Sequence, residues 1–343
     1  LDSPGLSATA NSIAAVPGRA AADAALLANS QQAILSAPSP VYLARLDLET
    51  GGVIGATVPG LPFVISGRSE ALGWGVGSAF ADDSDLFLEA LNPDAPTQYR
   101  TPEGWAEFES RGSIIRIKDD DPVTLTLRWS ENGPVLSGGF LNLASITPPG
   151  HVVTLSATAL SADDTSMTAA LRLMRAQSIE EAVDAGRLFV APAQNLTLAT
   201  QNRIALQTVG RMPRRSAEAQ TQGRMPSPGW RAENRWLGAL PYSANPRFID
   251  PESGVLSNTG NELLDRPFPL HVAHDWGDTQ RIARLTHLVD ARRVHTRDSL
   301  IEAQLDTVSP SARRLLPLVA ANLWFSGDAA AQGTRANIRQ RAL

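Results

Sequence analysis

The sequence has 343 residues, of which 43% are hydrophobic and 19% are charged, and its formal net charge is −5. A chain of this composition has enough apolar side chains for a large core, and disorder is not expected. The mild charge, without blocks of like charges, argues against a nucleic-acid partner or an anionic membrane surface. The sequence contains no cysteine, which excludes disulfides, thiol catalysis and cysteine-bound zinc.

The first half of the chain has the pattern of an all-β region. Residues 1–9 are rich in small residues and predict a loop, and short apolar runs separated by glycine and proline follow them. Period-two alternation is clearest in Val123 to Trp129, which favours stacked antiparallel sheets. Strands are predicted at 42–48, 53–58, 63–66, 113–118, 123–129 and 152–160.

Helices are predicted later in the chain. Apolar residues in the segment from Asp164 to Ala176 recur on one helical face. Ser178 and Glu181 form a capping box, which predicts a second helix running to about Phe189. The region from Thr296 to Phe325 is also predicted to be helical. These helices are expected to cover the sheets.

Several motifs occur in one order along the chain. Ala10-Asn11 precedes Pro17-Gly18-Arg19 and a Leu-Leu-Ala-Asn run at 26–29, and Gly-Trp-Gly follows at 73–75. A Gln-Asn pair at 194–195, the stretch 254–261 and Arg281 complete the series. Together they resemble the head of the catalytic chain of the penicillin acylases, a family of N-terminal-nucleophile amide hydrolases, over roughly residues 10 to 325.

This resemblance implies a fold and a domain organisation. The expected fold is α+β, a four-layer αββα sandwich of the N-terminal-nucleophile hydrolase type. Residues 1–9 would be the tail of a spacer removed by autoproteolytic processing, and residues 10–343 the first part of a single catalytic domain. The α chain and the rest of the catalytic chain would be its partners, and relatives imply a periplasmic location. The sequence contains no run of eighteen apolar residues, so no membrane-spanning helix is predicted.

The resemblance also assigns site positions. In such enzymes one residue attacks the amide carbonyl while its own α-amine accepts the proton. Ala10 falls on the nucleophile position and Gln32 on a position that orients the amine. Ser78 matches the backbone donor of the oxyanion hole, and Arg281 matches an arginine of the site region. Two of these roles carry substitutions, because Ala10 has no side-chain oxygen and Gly260 replaces an oxyanion asparagine.

Neighbouring residues offer alternatives for the two substituted roles. Ser7, Thr9 or Ser12 would supply a hydroxyl if the register of the first strand slips. The family has an Asn-Asn pair where this chain has Gly260-Asn261. Asn261 or Asn258 would supply the amide donor if its position shifts into the place of the missing asparagine. Hydroxyl groups are common in a segment of this composition, so their presence alone does not assign a nucleophile.

The sequence contains two groups of residues that could bind a metal, and only the first is predicted to do so. The run 82–85 places three carboxylates in four positions, which suits the oxygen ligands of calcium but also describes a solvated acidic turn. The resemblance favours one structural calcium held by Asp82, Ser84 and Asp85. His271 and His274 are three residues apart, but no third ligand accompanies them, and two polar residues beside an aromatic turn are the simpler interpretation.

Two functional hypotheses follow. The first is hydrolysis of a small N-acyl amide, such as a β-lactam or an acyl-homoserine lactone, by an N-terminal nucleophile. The second is a catalytically inactive protein that keeps the acylase scaffold, because Ala10 and Gly260 replace two working groups. Self-cleavage just before the nucleophile would distinguish the two.

Overall fold

The computed structural model describes residues 10–31, 36–49, 51–276, 279–323, 331–335 and 337–338. Residues 1–9 and Gln32, and with them the predictions for Ser7, Thr9 and Gln32, lie outside this set. None of the helices in the described ranges has the length and hydropathy that crossing a bilayer requires.

The described part of the chain forms strands first and helices later. The strands are β1 Ala10–Ala15, β2 Leu26–Gln31, β3 Tyr42–Leu48, β4 Gly51–Thr57, β5 Ser66–Arg68, β6 Gly73–Ser78, β7 Ser84–Asn92, β8 Ala95–Thr101, β9 Gly104–Glu107, β10 Glu109–Ile115, β11 Val123–Ser130, β12 Gly133–Pro134, β13 His151–Ala157, β14 Gln194–Ala199, β15 Ile204–Val209, β16 Ser227–Pro228, β17 Arg247–Ile249 and β18 Val255–Asn258. The helices are α1 Ser166–Leu173, α2 Ile179–Ala185, α3 Thr279–Asp290, α4 Arg297–Gln304 and α5 Pro310–Leu323.

Two sheets pack face to face in the centre of the fold. The larger has seven strands in the order β17-β15-β14-β6-β5-β4-β3, and the smaller has three in the order β18-β1-β2. Ala14 of β1 packs against Ala199 and Ile204 of the larger sheet, so small residues let the two sheets approach closely. Because side chains alternate along a strand, each strand of this pair presents every second residue to the other sheet.

Helices cover the outer face of each sheet. Met174, which directly follows α1, and Ile179 of α2 pack on Trp74 and Leu198 of the larger sheet. On the other side, Leu285 of α3 and Leu300 of α4 pack on Ile13 and Ala28 of the smaller sheet. The layers therefore run helix, sheet, sheet, helix, and the predicted four-layer α+β sandwich is confirmed.

A second β region extends from the sandwich. Strand β7 lies between β13 and β8, with β9 beyond β8 and β16 paired to β7, and β10 to β12 form a separate sheet. The predicted strand at 113–118 begins earlier, at Glu109, and the one at 152–160 ends at Ala157 in a 3-10 turn. The pattern thus located these strands but not their ends.

Two other predicted elements differ from the structure. The strand predicted at 63–66 is β5, which begins only at Ser66. The reason is that the Val64 N–H donates to Met174 Sδ and its carbonyl accepts from the Trp74 indole, so side chains replace a strand ladder there. The helical region predicted over 296–325 consists of α4 and α5, separated by residues 305–309, and α5 begins at Pro310, where the Ser309-Pro310 pair predicts a helix start.

Candidate active site at the tip of strand β1

Ala10 is the first described residue of β1 and lies between the two central sheets. It pairs with Gln31 of β2, and only 2% of its surface is exposed. Two residues further along the same face, the Ser12 hydroxyl lies 2.7 Å from Thr197 Oγ1 of β14. The tip of β1 therefore faces the larger sheet, and Ser12 is enclosed behind it.

Gly77 of β6 is the residue against which Ala10 packs. A Cβ built on Gly77 would lie 3.0 Å from the Ala10 Cβ, so a side chain there has no room. Gly73, Gly75 and Gly77 face the smaller sheet, and the glycine repeat marks a close approach of backbone. Sequence reasoning missed Gly77, although this alternation was visible in the run 73–77.

Ser78 is brought next to this contact, at the end of β6. Its neighbour Ala79 donates its N–H to the Ala193 carbonyl at 3.2 Å, which makes 79 and 193 a hydrogen-bonded pair. Bonding and non-bonding pairs alternate along an antiparallel ladder, so the Ser78 N–H is turned away from β14. The Ser78 side chain accepts from the Phe80 N–H at 3.2 Å and stays within its own turn.

Gly260 lies on the other side of Ser78. Strands β1 and β18 pair Ser12 with Asn258, and Gly260 follows β18 in a turn with φ +75. A Cβ on Gly260 would lie 2.5 Å from the Phe80 ring and 3.1 Å from the Ser78 carbonyl oxygen. The ring of Phe80 thus occupies the space that an asparagine side chain at this position would need.

The two alternative amide donors are placed differently. Asn261 is used locally: its Oδ1 accepts from the Thr259 N–H at 3.1 Å, and its Nδ2 donates to the Glu262 carbonyl at 3.0 Å. Asn258 is 1% exposed, and its Oδ1 accepts from Asn195 Nδ2 and from the Gly260 N–H, both at 3.1 Å. Its Nδ2 is buried and has no partner among the described residues.

The free Nδ2 of Asn258 points toward the β1 tip. It lies 3.5 Å from the Cβ position of Gly77, beside the same point that Ala10 contacts. Thr208 Oγ1 donates to Asn195 Oδ1 at 2.7 Å, and Asn195 in turn binds Asn258, so a buried chain of polar groups fixes this amide. Of the two alternatives, Asn258 and not Asn261 therefore adjoins Ala10.

Arg281 supports the turn that carries Gly260. It lies in the first turn of α3, and its Nη2 donates to the Thr259 carbonyl at 2.7 Å. The structure thus brings Ala10, Ser78 and Gly260 together, and Arg281 contacts the residue before Gly260.

An apolar cavity opens beside the β1 tip. Its volume is about 200 Å³, and it lies between the larger sheet and the α1–α2 pair. Gln31, which pairs with Ala10, and Gly77 line one end of it. The remaining wall is mostly hydrophobic and includes Phe63, Val76, Leu173, Phe189, Leu196 and Val209.

The two carboxylates predicted to hold calcium, Asp82 and Asp85, are engaged by other protein groups. Arg215 Nε donates to Asp85 Oδ2 at 2.8 Å and its Nη2 to Oδ1 at 2.9 Å, while the Trp236 indole also donates to Asp85. Ser84 is exposed. A calcium ion needs oxygen ligands, and both oxygens of the Asp85 carboxylate are already bound by Arg215. Calcium binding itself stays a prediction.

The next carboxyl group in this segment is also shielded. Burial raises the pKa of Asp83, and the nearby Asp82 carboxylate adds to the rise while the hydrogen bond from the Ala193 N–H opposes it. Asp83 is therefore tied to the start of β14 by a hydrogen bond, beside the Asp82 carboxylate.

The four-layer sandwich is the fold type of the N-terminal-nucleophile hydrolases. The chain belongs to the penicillin amidase family, whose sequence model matches residues 4–342. A solved structure with the same fold is the thermostable penicillin G acylase of Alcaligenes faecalis, with a TM-score of 0.78 and 20% identity over 93% of this chain and 57% of that chain.

Curated relatives carry two kinds of name. The chain is 30% identical over 319 residues to the acyl-homoserine lactone acylase QuiP of Pseudomonas putida, covering 92% of this chain and 36% of the relative. It is 25% identical over 268 residues to the penicillin G acylase of Escherichia coli, covering 76% of this chain and 30% of the relative. The chain thus spans little more than a third of the length of the relatives it matches.

Proposed function

We propose that this protein acts on small N-acyl amides at the β1 tip, with hydrolysis of the amide bond as the reaction class. The observation that carries the proposal is the convergence of Ala10, Ser78 and Gly260 beside an apolar cavity. The cavity suits a hydrophobic acyl group, and the names of the relatives support amides of β-lactam or homoserine lactone amines.

Part of the required machinery is present in the described residues. A preorganised N–H donor stabilises the oxyanion of the tetrahedral intermediate, and the Ser78 N–H, turned away from its ladder, is suited to that role. Asn258 offers a second amide N–H beside the tip. Arg281 is a positioning residue, since it holds the carbonyl that precedes Gly260.

The nucleophile is the group that Ala10 does not provide. Ser12 is unsuited, because it is buried between the sheets and bound to Thr197. Turnover by an N-terminal nucleophile would therefore use Ser7 or Thr9 after cleavage of the chain. The methyl side chain of Ala10 and the filling of the Gly260 position by Phe80 favour a second candidate function, binding of N-acyl amides without turnover.

Processing, a periplasmic location and pairing with the α chain and the rest of the catalytic chain stay predictions. Mass spectrometry of the purified protein tests the first of them. Cleavage before Ser7 or Thr9, with release of acid from a chromogenic N-acyl amide, would support turnover. An intact chain that releases no acid would support binding alone.

The cavity is tested separately by calorimetry. An N-acyl-homoserine lactone should bind, and homoserine lactone without its acyl chain should not. Val76→Phe, which adds volume to the cavity wall, should weaken binding by more than about 10-fold, and Val123→Phe on the exposed face of β11 is the matched control. Equal binding of the acylated and unacylated compounds would refute the assignment of this cavity to the acyl group.

A further inference from the structure

Three side chains able to bind a metal meet beside the β6–β7 connection. They are Asp82, His271 and His274, and one potential ligand atom of each lies within 4.8 Å of the others. His271 Nε2 lies 3.1 Å from Asp82 Oδ2, and the two imidazole rings stack with centroids 4.1 Å apart. The carboxylate is the third ligand that the sequence did not reveal for the two histidines.

The surroundings of the two rings suit ligation. His274 Nε2 lies 3.1 Å from the Gln222 carbonyl, which only accepts, so this nitrogen carries the proton and Nδ1 keeps its lone pair. An imidazole that binds a metal usually donates its other N–H to such an acceptor. His271 is 5% exposed, and its Nδ1 has no partner among the described residues. The Phe268 ring lies beside both imidazoles, with centroids 5.3 Å from His271 and 6.3 Å from His274.

The donor types decide which metal fits. Calcium prefers six to eight oxygen ligands, whereas imidazole favours zinc and its neighbours among the transition metals. Oxygens of this segment are already engaged, because Arg215 binds both carboxylate oxygens of Asp85 and also donates to the Asp82 carbonyl at 2.9 Å. Two nitrogens and one carboxylate, with a fourth position open to water, match a zinc site.

We propose that Asp82, His271 and His274 form a site for a divalent transition metal ion, with zinc as the representative ion. The ion would tie the connection after Ser78 to the segment 271–274, where the Asp82 N–H already donates to the Val272 carbonyl at 2.8 Å. It would thus act by position, fixing the backbone that follows the candidate oxyanion donor.

The test is metal binding by the purified untagged protein after treatment with a chelator. One zinc ion should bind per chain, and the melting temperature should rise with zinc concentration because the ion binds the folded state. Calcium at the same concentration should leave the melting temperature unchanged. A rise with calcium and none with zinc, or no binding of either ion, would overturn the proposal.

Variants localise the effect. His274→Ala, at a partly exposed ring, should weaken zinc binding by more than about 10-fold. Asp82→Asn should weaken it to the same degree, and this variant gives the answer if the loss of the His274 ring disturbs folding. His287→Ala removes an exposed histidine of α3 and serves as the matched control. Zinc binding that survives both site variants, or that is lost equally in the control, would place the metal elsewhere.

Discussion

The tip of β1 and the start of β7 lie at the two ends of one short connection, residues 79–83, but different forces hold them. At the tip, Ala10, Gly77 and Gly260 present little more than backbone, and they fit because side chains are missing. At the start of β7, Asp85 is fixed by charge and hydrogen bonds from Arg215. A substitution at the tip should therefore change stability through steric overlap, and a substitution at the start of β7 through an unpaired charge.

The largest expected effect comes from breaking the charged end. The Arg215 and Asp85 side chains are each 5% exposed. Arg215→Ala would leave a buried carboxylate unpaired and should lower the free energy of unfolding by about 3–5 kcal/mol, measured by denaturant unfolding.

A matched control and a rescue accompany this variant. Arg187→Ala removes an exposed ion pair with Asp184 and should cost no more than about 1 kcal/mol. Adding Asp85→Asn to Arg215→Ala should restore part of the stability, because it removes the unpaired charge. A loss in Arg215→Ala as small as that of the control would contradict the contrast between the two regions.

The second effect tests the spatial fit at the tip. Gly260→Ala would push a Cβ into the Phe80 ring at a residue with φ +75, and should lower the free energy of unfolding by about 1–3 kcal/mol. In the Phe80→Ala background the same substitution should cost less, because the ring has gone. Strictly additive losses in this double-mutant cycle would show that Phe80 does not fill the position.

The third effect lies just behind the tip, where Ser12 and Thr197 share a buried hydrogen bond. Ser12→Ala leaves the Thr197 hydroxyl without this partner and should cost about 1–3 kcal/mol, whereas Ser12→Ala with Thr197→Val should recover most of that loss. Mass spectrometry of the same variant has a second use: if the protein cleaves itself, Ser12→Ala should still do so. Loss of cleavage would return Ser12 to the role of nucleophile.

The sequence predicted what depends on local pattern. The strand from Tyr42 to Leu48 was located to the residue, and the Pro17-Gly18-Arg19 turn fixed the register that puts Ala10 at the tip of β1. Ser78 was assigned through the family resemblance, four residues after Trp74, which lies in the core. The order and spacing of the family motifs carry this information, and the fixed side-chain period of a strand then decides which residues share a face.

Contacts between distant segments could not be predicted in the same way. Arg215 and Asp85 are 130 residues apart, and Asp82 and His271 are 189 apart, so no periodicity links them. The family resemblance predicted a calcium ion at the acidic run, whereas no local pattern indicated that Arg215 binds Asp85. Likewise, nothing local to Gly260 indicated that Phe80 fills its position.

The smallest expected effect is on the pH dependence of stability, and it compares two buried histidines. His271 lies against the Asp82 carboxylate, whereas His295 follows α3 near Arg19 and Arg292. Burial, reinforced by these two arginines, lowers the pKa of His295 below its ordinary value near 6.5. In the unfolded chain the ring regains that ordinary pKa.

The sign of the pH effect follows from this difference. Between the lowered pKa and about 6.5, the unfolded chain binds a proton that the folded chain does not, so the free energy of unfolding falls as the pH is lowered through this window. His295→Gln cannot titrate and should flatten that fall in unfolding experiments from pH ~7 to ~5. His287→Gln, an exposed position on α3, measures what a surface histidine contributes. An equally steep fall in His295→Gln and in the unmodified protein would mean that the pH dependence arises elsewhere. The pair of His271 and Asp82 would then be the next group to test.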